Sequence, residues 1–258
     1  MSALTSYAKA SSTFADKLAT AQAVLQDACT RFKPITQASS LGAEDMVITH
    51  LLHTLQLPSE VFVLQTGKLH AQTLTLLHML QTTYGTDRVV RVYEPNVEHA
   101  QAFVKDHGED AMYQSIDLRK ACCDIRKMVP LAKALQGKKA WITGLRREQS
   151  NARAEVLAIE PPALVPGAVS ATITKVNPLA DWTYGDVWHF IASHHVPYNA
   201  LHDEFYPSIG CAPCTRAVTL GEDIRSGRWW WEQASAKECG LHVAASSSLR
   251  DIPVVATA

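Results

Sequence analysis

The sequence predicts an α/β fold in which a mostly parallel sheet carries helices on both faces. Three short apolar runs in the first half, residues 35–39, 61–65 and 89–93, have the length and composition of buried strands. The stretches between them, AEDMVITHLLHTL and HAQTLTLLHMLQTTY, place apolar residues at helical spacing. Strands that alternate with helices in this way are expected to run parallel, because each helix returns the chain to the start of the next strand.

Further along the chain, the run KAWITG predicts another strand over residues 139–144, and we expect a short strand pair within residues 165–176. The segment DWTYGDVWHFIASHHV predicts a helix that Thr183 opens, because Asp186 lies three residues later as the acid of a capping box.

After this helix the composition changes to one rich in proline, glycine, cysteine and tryptophan, through residues 197–232. Such a composition favours loops and a helix around a site over another layer of sheet. We therefore expect an N-terminal helical segment over residues 1–33, a main domain over residues 34–243 and a flexible tail over residues 244–258.

The composition excludes several classes of function. The formal net charge of −1 provides no basic field that would hold nucleic acid. There is no uninterrupted apolar run of the length that spans a membrane, and no apolar core of a signal peptide, so we expect a cytoplasmic protein. In such a protein, six cysteines indicate metal binding or thiol chemistry more than a framework of disulfides.

Two loops carry candidate binding residues at the carboxyl ends of predicted strands, where open α/β sheets bind ligands. In QASSLGAED, the small residues Ser39, Ser40 and Gly42 would expose backbone N–H groups at a helix N-terminus, which favours an anion. In LQTGKLHAQT, Thr66, Gly67 and Lys68 are placed to contact a nucleotide. The alternative for each loop is an ordinary turn, and the first lacks the Gly-Lys-Ser/Thr of a Walker A motif.

Four cysteines fall into two pairs, Cys122 with Cys123 and Cys211 with Cys214. Four sulfurs from two loops suit an iron–sulfur cluster or zinc. Adjacent cysteines diverge from each other and fit a cubane, in which each thiolate takes a different iron, better than a single ion. Zinc and buried or redox-active thiols remain alternatives. The basic residues that would offset the charge of a cluster are Arg119, Arg126 and Lys127.

Cys239 stands apart from these pairs, in the sequence KECGLH. A lone cysteine beside basic groups is a candidate nucleophile, because the thiolate is the reactive form. A purely structural cysteine would be expected in an apolar setting, whereas Lys237 and His242 surround this one.

Together these motifs resemble the assimilatory adenylyl-sulfate reductases, a family that includes the phosphoadenylyl-sulfate reductases. The resemblance extends from about residue 37 to residue 243 and is carried by SSLGAEDMVI, LQTGKLHAQT, KACCDIRK, GLRREQS, NPLADWT, IGCAPCTR, GEDIRSGRWWWE and KECGLH. It implies a fold like that of the adenine nucleotide alpha hydrolases. Gln65 and Gln72 depart from the family, whose members usually have acidic residues at both positions.

The resemblance also implies roles for individual residues. It places a [4Fe-4S] cluster on Cys122, Cys123, Cys211 and Cys214, and the nucleophile at Cys239. The candidate contacts to sulfate and phosphate are Lys127, Arg147, Arg225, Arg228 and His242. Arg225 and Arg228 have the spacing of one helix face. We expect the tryptophans at 229–231 to pack under the cysteine loop instead of stacking on a base.

The implied reaction is the reduction of adenylyl sulfate to sulfite and AMP through a sulfated Cys239, in sulfate assimilation and cysteine biosynthesis. Few residues follow Cys239, so we expect the reductant to be a separate protein, thioredoxin or glutaredoxin, and we expect the enzyme to be a homo-oligomer. The nearest alternative is a phosphoadenylyl-sulfate reductase or an enzyme that uses both substrates. An ATP-dependent adenylating enzyme would carry S-G-G-x-D-S where this chain has SSLGAED. A non-enzymatic iron–sulfur sensor would not need Cys239.

Overall fold

The computed structural model describes residues 2–84, 89–165, 172–219 and 221–232. Its sheet has six strands in the order β3-β2-β1-β4-β6-β5. The strands are β1 (Ile35–Ser39), β2 (Glu60–Leu64), β3 (Val90–Tyr93), β4 (Ala140–Ile142), β5 (Ala163–Leu164) and β6 (Thr172–Val176). All neighbours pair in parallel except β5 and β6, which are antiparallel. The predicted mostly parallel sheet is therefore confirmed.

Helices connect the strands and extend the chain at both ends of the sheet. They are α1 (Ala3–Tyr7), α2 (Phe14–Arg31), α3 (Ala43–Thr54), α4 (Ala71–Thr83), α5 (Val97–His107), α6 (Ile116–Cys123), α7 (Val129–Leu135) and α8 (Tyr184–His194). A π-helical turn, Asp124–Met128, joins α6 to α7. None of the helices in these described ranges is long and apolar enough to cross a membrane.

Successive side chains along a strand point to opposite faces of the sheet, and both faces are buried. On β2, Val61 and Val63 join the larger core with α2, α3, α4 and α8, whereas Phe62 joins a second core with Leu131 of α7 and Trp141 of β4. Burial on both sides explains why β2 and β4 are almost continuously apolar. Leu25 of α2 is fully buried in the larger core, so the N-terminal segment packs against the sheet domain.

The capping box predicted for α8 is present. Thr183 Oγ1 accepts from the backbone N–H of Asp186 at 3.0 Å, and Asp186 Oδ2 accepts from the backbone N–H of Thr183 at 2.9 Å. Asp186 also accepts from Lys17 Nζ at 2.8 Å and from the N–H of Ser11 at 2.7 Å. Burial would raise the pKa of Asp186, but these hydrogen bonds outweigh it and lower the pKa. One capping residue thus fastens the N-terminal helices to α8.

Two predictions about local structure are wrong. Cys122 and Cys123 do not lie in a loop, since they form the last turn of α6. Arg225 and Arg228 do not share a helix face, because residues 221–232 form turns, with Trp229 at a φ of +43°. Glycine and bulky aromatic residues crowd this segment, and packing of the aromatics overrides the helical spacing. The predicted tail lies outside the described residues.

Candidate functional site

A cavity of about 230 Å³ opens at the carboxyl edge of the sheet. Its walls come from the segments after β1, β2 and β4, from the π-helical turn and from residues 207–210 and 224–229. The predicted site residues that line it are Ser39, Ser40, Gly42, Thr66, Lys127, Arg225 and Arg228. The loops after parallel strands therefore converge on one place, as expected for open α/β sheets.

Apart from the four paired cysteines, four predicted site residues are not among the described residues that line this cavity. Gly67 lines a separate groove beside α5. Arg147 donates from Nε to the carbonyl of Val156 at 2.8 Å and pairs with Asp181, and it is not among the residues that line the cavity. Cys239 and His242 lie outside the described residues. Their roles stay predictions.

The two glutamines that depart from the family pattern also lie off the cavity lining. Gln65 faces the groove beside α5, where its Oε1 accepts from the N–H of Gly67. Gln72 donates to Glu204 at 3.4 Å. Their neighbours Thr66 and Thr73 line the cavity instead, so neither departure removes a carboxylate from its lining.

Two backbone N–H groups of the first loop, at Ser40 and Leu41, are occupied by side chains of the protein itself. The backbone N–H and the hydroxyl of Ser40 both donate to Asp45 Oδ2, each at 2.7 Å, and the N–H of Leu41 donates to Ser39 Oγ at 3.2 Å. Burial is the main influence on Asp45 and raises its pKa to about 6, although the hydrogen bonds from Ser40 work in the opposite direction. An internal carboxylate therefore takes the donors that were expected to bind a ligand anion.

A buried arginine that the sequence did not single out forms part of the cavity wall. Arg146 donates from Nε to Glu44 at 3.0 Å and from one terminal nitrogen to Glu148 at 2.9 Å and to the carbonyl of Trp182 at 3.2 Å. Its side chain is fully buried, and its other terminal nitrogen has no hydrogen-bond partner within the part of the chain that the structure describes. Burial favours the neutral form of Glu44, but the charge of Arg146 and several hydrogen bonds lower its pKa.

The signal for Arg146 was present in GLRREQS, yet two adjacent arginines do not reveal which one points inward. Arg153 was also missed; it is 7% exposed, lines the cavity and donates to Gln149 Oε1 at 2.6 Å. His202 completes this wall from the segment after α8, and burial lowers its pKa to about 4. The cavity thus has arginines on its wall and a histidine that stays neutral near pH 7.

The two cysteine pairs approach each other beside the cavity. The turn Ala212–Cys214 is held to the loop after β2, because the N–H of Ala212 donates to the carbonyl of Lys68 at 2.7 Å. Thr66 Oγ1 lies 3.3 Å from Cys211 Sγ, and the carbonyl of Thr66 accepts from Arg126 at 2.8 Å. The loop after β2 therefore joins the segment that follows Cys123 to the segment that carries Cys211.

The thiols also influence one another electrostatically. Burial raises the pKa of Cys122, and the neighbouring Cys211 adds to the rise. Burial, followed by the charges of Cys211 and Cys123, raises the pKa of Cys214 to about 12. Cys211 behaves differently, because Lys127, Thr66 and nearby arginines outweigh burial and lower its pKa. Buried thiolates this close repel one another, so such a donor set fits a bound cation or metal cluster.

Within the described ranges, no group of three or more histidine, cysteine, aspartate or glutamate side chains is arranged to hold a single metal ion. Three of the four paired cysteines, at 122, 211 and 214, are buried, and Cys123 is partly buried. The arrangement is thus one of paired thiols spread around a common region.

The tryptophan segment packs as predicted at two of its three positions. Trp229 is fully buried against Cys211 and Cys214, and Trp231 is partly buried against the same cluster. Trp230 is exposed. Arg228 turns from this segment into the cavity wall and donates to the carbonyl of Ile209 at 3.2 Å. A Cβ at Gly210 would lie 2.4 Å from the Arg228 guanidinium, so the close approach requires glycine.

Comparison with known proteins places these features in a family. The profile of the phosphoadenosine phosphosulfate reductase domain matches residues 34–217. Two relatives are named adenosine 5'-phosphosulfate reductase. The one from Allochromatium vinosum is 49% identical and covers 85% of this chain and 82% of its own. The one from Burkholderia cepacia is 44% identical and covers 95% and 93%.

Solved structures agree with this assignment. The phosphoadenylyl-sulfate reductase from Candida auris, in a phosphate complex, aligns with a TM-score of 0.62 at 28% identity and covers 75% of this chain and 88% of its own. FMN adenylyltransferase from Candida glabrata shares the fold alone, with a TM-score of 0.53 at 12% identity over 98% of this chain and 83% of its own. The chain therefore belongs to the phosphoadenosine phosphosulfate reductase family, among relatives named adenosine 5'-phosphosulfate reductase.

Proposed function

We propose that this protein reduces adenylyl sulfate to sulfite and AMP, as part of sulfate assimilation and cysteine biosynthesis. The observation that carries the proposal is the meeting of two cysteine pairs beside a cavity lined by Lys127, Arg225 and Arg228. The relatives at 41–49% identity that are named for this substrate support it.

The first step forms a bond between Cys239 and the sulfur of the substrate. The Cys239 thiolate attacks the sulfate sulfur, the bond from sulfur to the phosphate oxygen breaks, and AMP leaves with the electron pair. The nucleophile and the substrate are both anions, so cations are needed around the reacting groups. Lys127, Arg225 and Arg228 supply them from the cavity wall, and His242 is our proposed fourth contact.

The second step takes two electrons from an external dithiol, which we propose is thioredoxin or glutaredoxin. One thiolate of the dithiol attacks the Cys239 sulfur and expels sulfite, which leaves a mixed disulfide. The second thiolate of the dithiol then attacks the first dithiol sulfur, which breaks the mixed disulfide and restores the Cys239 thiolate. The dithiol ends as a disulfide, so the two electrons that reduce sulfate to sulfite are accounted for.

We propose that Cys122, Cys123, Cys211 and Cys214 hold a [4Fe-4S] cluster. Buried thiols that raise one another's pKa support this, because binding to iron stabilises their thiolate forms. When bound, the cluster would link α6 to the 211–214 turn, and Arg126 and Lys127 would offset its charge.

The proposal is tested by sulfite release, with adenylyl sulfate and phosphoadenylyl sulfate assayed in parallel and thioredoxin supplied. We expect a higher kcat/KM for adenylyl sulfate. Equal or reversed efficiency would move the assignment to a phosphoadenylyl-sulfate reductase, the activity in the name of the Candida auris structure. No sulfite from either substrate would reject the reaction itself.

A further inference from the structure

A buried ion pair joins helix α6 to the tryptophan segment. Arg119 donates from Nε and from one terminal nitrogen to the two carboxylate oxygens of Glu232, each at 2.9 Å. The side chains are 2% and 3% exposed. A two-pronged hydrogen bond of this kind fixes the mutual orientation of the guanidinium and the carboxylate.

The same guanidinium also reaches Cys123 of the first cysteine pair. Arg119 lies one helical turn before Cys123 on α6, so the two side chains share a face. Burial would lower the pKa of Arg119, but hydrogen bonds and charge from Glu232, together with smaller contributions from Cys123, raise it. Arg119 therefore interacts with a proposed cluster ligand at one side and with Glu232 at the other.

Trp229 lies between this ion pair and the cavity. The Arg119 guanidinium carbon is 4.7 Å from the centre of the Trp229 ring, and that of Arg228 is 4.8 Å from it. The Trp229 backbone, at a φ of +43°, is in the left-handed region, which a bulky residue adopts only where its surroundings hold it there. Its N–H also donates to the carbonyl of Cys214 at 3.2 Å.

We propose that Arg119 and Glu232 are positioning residues that set the placement of Arg228 in the cavity through Trp229. The ion pair clamps the segment from Trp229 to Glu232 onto α6. Trp229 then presents Arg228 to Gly210 and to the cavity. This inference rests on the proposed function, in that Arg228 is assigned to the anionic part of adenylyl sulfate.

The test measures binding to the iron-loaded, full-length Cys239→Ser chain, in which no turnover occurs. In that parent, Glu232→Gln removes the charge of the carboxylate, and Arg119→Lys keeps the positive charge but loses the fork. We expect both changes to weaken adenylyl sulfate binding about tenfold, the scale on which neighbouring residues couple. Binding of adenosine, which has no anionic group, should not change. The visible absorption of the cluster should remain.

Dependence on Arg228 is the readout that a merely structural role would not give. If the clamp acts through Arg228, Glu232→Gln should have no further effect in an Arg228→Ala background. Independent losses that multiply, or an equal loss of adenosine affinity, would overturn the inference, as would unchanged binding in both clamp variants. Should Glu232→Gln fail to fold, Arg119→Lys gives the same comparison.

A matched control removes a carboxylate from an exposed pair. Asp27→Asn breaks the Arg31–Asp27 pair on α2, whose N–O distance is 2.7 Å, and should leave both affinities unchanged. Binding to the Cys239→Ser parent separates failure of the proposed function from failure of this inference. If the parent binds adenylyl sulfate no better than adenosine, the proposed function fails and the inference falls with it. If the parent shows the preference and the clamp variants keep it, only the inference fails.

Discussion

Asp45 accepts both the backbone N–H and the hydroxyl of Ser40, so the N-terminus of α3 already holds an anion that belongs to the protein. Gly144 makes room for this carboxylate, since a Cβ there would lie 2.6 Å from Asp45 Oδ1. An incoming negative group would meet Asp45 at this point. Cationic contacts for such a group are offered elsewhere on the cavity lining, by Lys127, Arg225 and Arg228.

Replacing Asp45 with Asn should change how stability depends on pH. The pKa of Asp45 is about 6 in the folded protein against an ordinary value of 3.8. The folded state therefore holds the proton more tightly, so the resulting stabilisation is complete below 3.8 and is lost as the pH rises toward 6. The loss is up to about 3 kcal/mol. Urea unfolding across this window should show this loss of stability with rising pH in the unsubstituted protein and not in Asp45→Asn. Equal pH dependence in both proteins would contradict the prediction.

His202 should produce a slope of the opposite sign. Burial lowers its pKa to about 4 from an ordinary value of 6.5. Its contribution is therefore complete above 6.5 and is lost as the pH falls toward 4, by about 3 kcal/mol. In His202→Gln this part of the acid destabilisation should disappear, as measured by urea unfolding at several pH values. His195, an exposed residue after α8, provides the matched control, and His195→Gln should leave the slope unchanged.

Two neighbouring arginines offer a paired test of burial. Arg146→Lys should reduce the free energy of unfolding by about 2–4 kcal/mol, because it removes a fully buried guanidinium that pairs with both Glu44 and Glu148. Arg147→Lys should cost about 0–1 kcal/mol, because its pair with Asp181 is exposed.

Substrate binding by the same two variants tests the sequence-based role of Arg147. The structure favours Arg146 as the residue at the cavity, so Arg146→Lys should weaken adenylyl sulfate binding and Arg147→Lys should not. A loss of affinity confined to Arg147→Lys would support the original assignment.

The cluster assignment predicts which cysteine gives the protein its colour. Cys122→Ser should lose the broad visible absorption and the iron, because it removes one of four proposed ligands. Cys29 is also buried, but it lies on α2 in the larger hydrophobic core, so Cys29→Ser should keep the visible absorption and the iron. Iron analysis and a visible spectrum of the two variants decide the matter; colour lost from both, or from neither, would mean that the ligands are misassigned.

Chemistry and cluster binding should separate at Cys239. Cys239→Ser should keep its colour and its affinity for adenylyl sulfate but lose turnover, since a serine hydroxyl is barely ionised at neutral pH. Without reductant, the unsubstituted protein should gain from adenylyl sulfate the mass of a sulfite group on the peptide that contains Cys239, and thioredoxin should remove it. An adduct on Cys29, or turnover with no adduct, would rule out the covalent mechanism.

The sequence was informative where one local interaction dominates. Short apolar runs predicted β1 and β2 to within a residue, and Thr183 with Asp186 marked the start of α8, because strand burial and capping depend on near neighbours. It failed where contacts distant in sequence decide. Trp229 leaves the helical pattern because the cysteine turn and Arg119 enclose it, and nothing in its neighbours indicates either.

The binding loops show the same limit. Small residues after β1 do suggest an exposed N-terminus, but the carboxylate that occupies it is five residues further on, at Asp45. Likewise, Arg146 and Arg147 are indistinguishable as letters. Their ion-pair partners decide which one faces the cavity, because Arg146 pairs with Glu44 and Arg147 pairs with Asp181.

The chain order of the four cysteines sets the timing of assembly. Cys122 and Cys123 come before β4, β6 and α8, and Cys211 and Cys214 come after them. During synthesis the first pair must wait until the central sheet has been completed and the second pair has followed. The proposed cluster, if all four cysteines hold it, can therefore be completed only after the segments that form the central sheet have been synthesised. Completion of the cluster is then a late event in synthesis, and a chain truncated before residue 211 would lack two of the four proposed ligands.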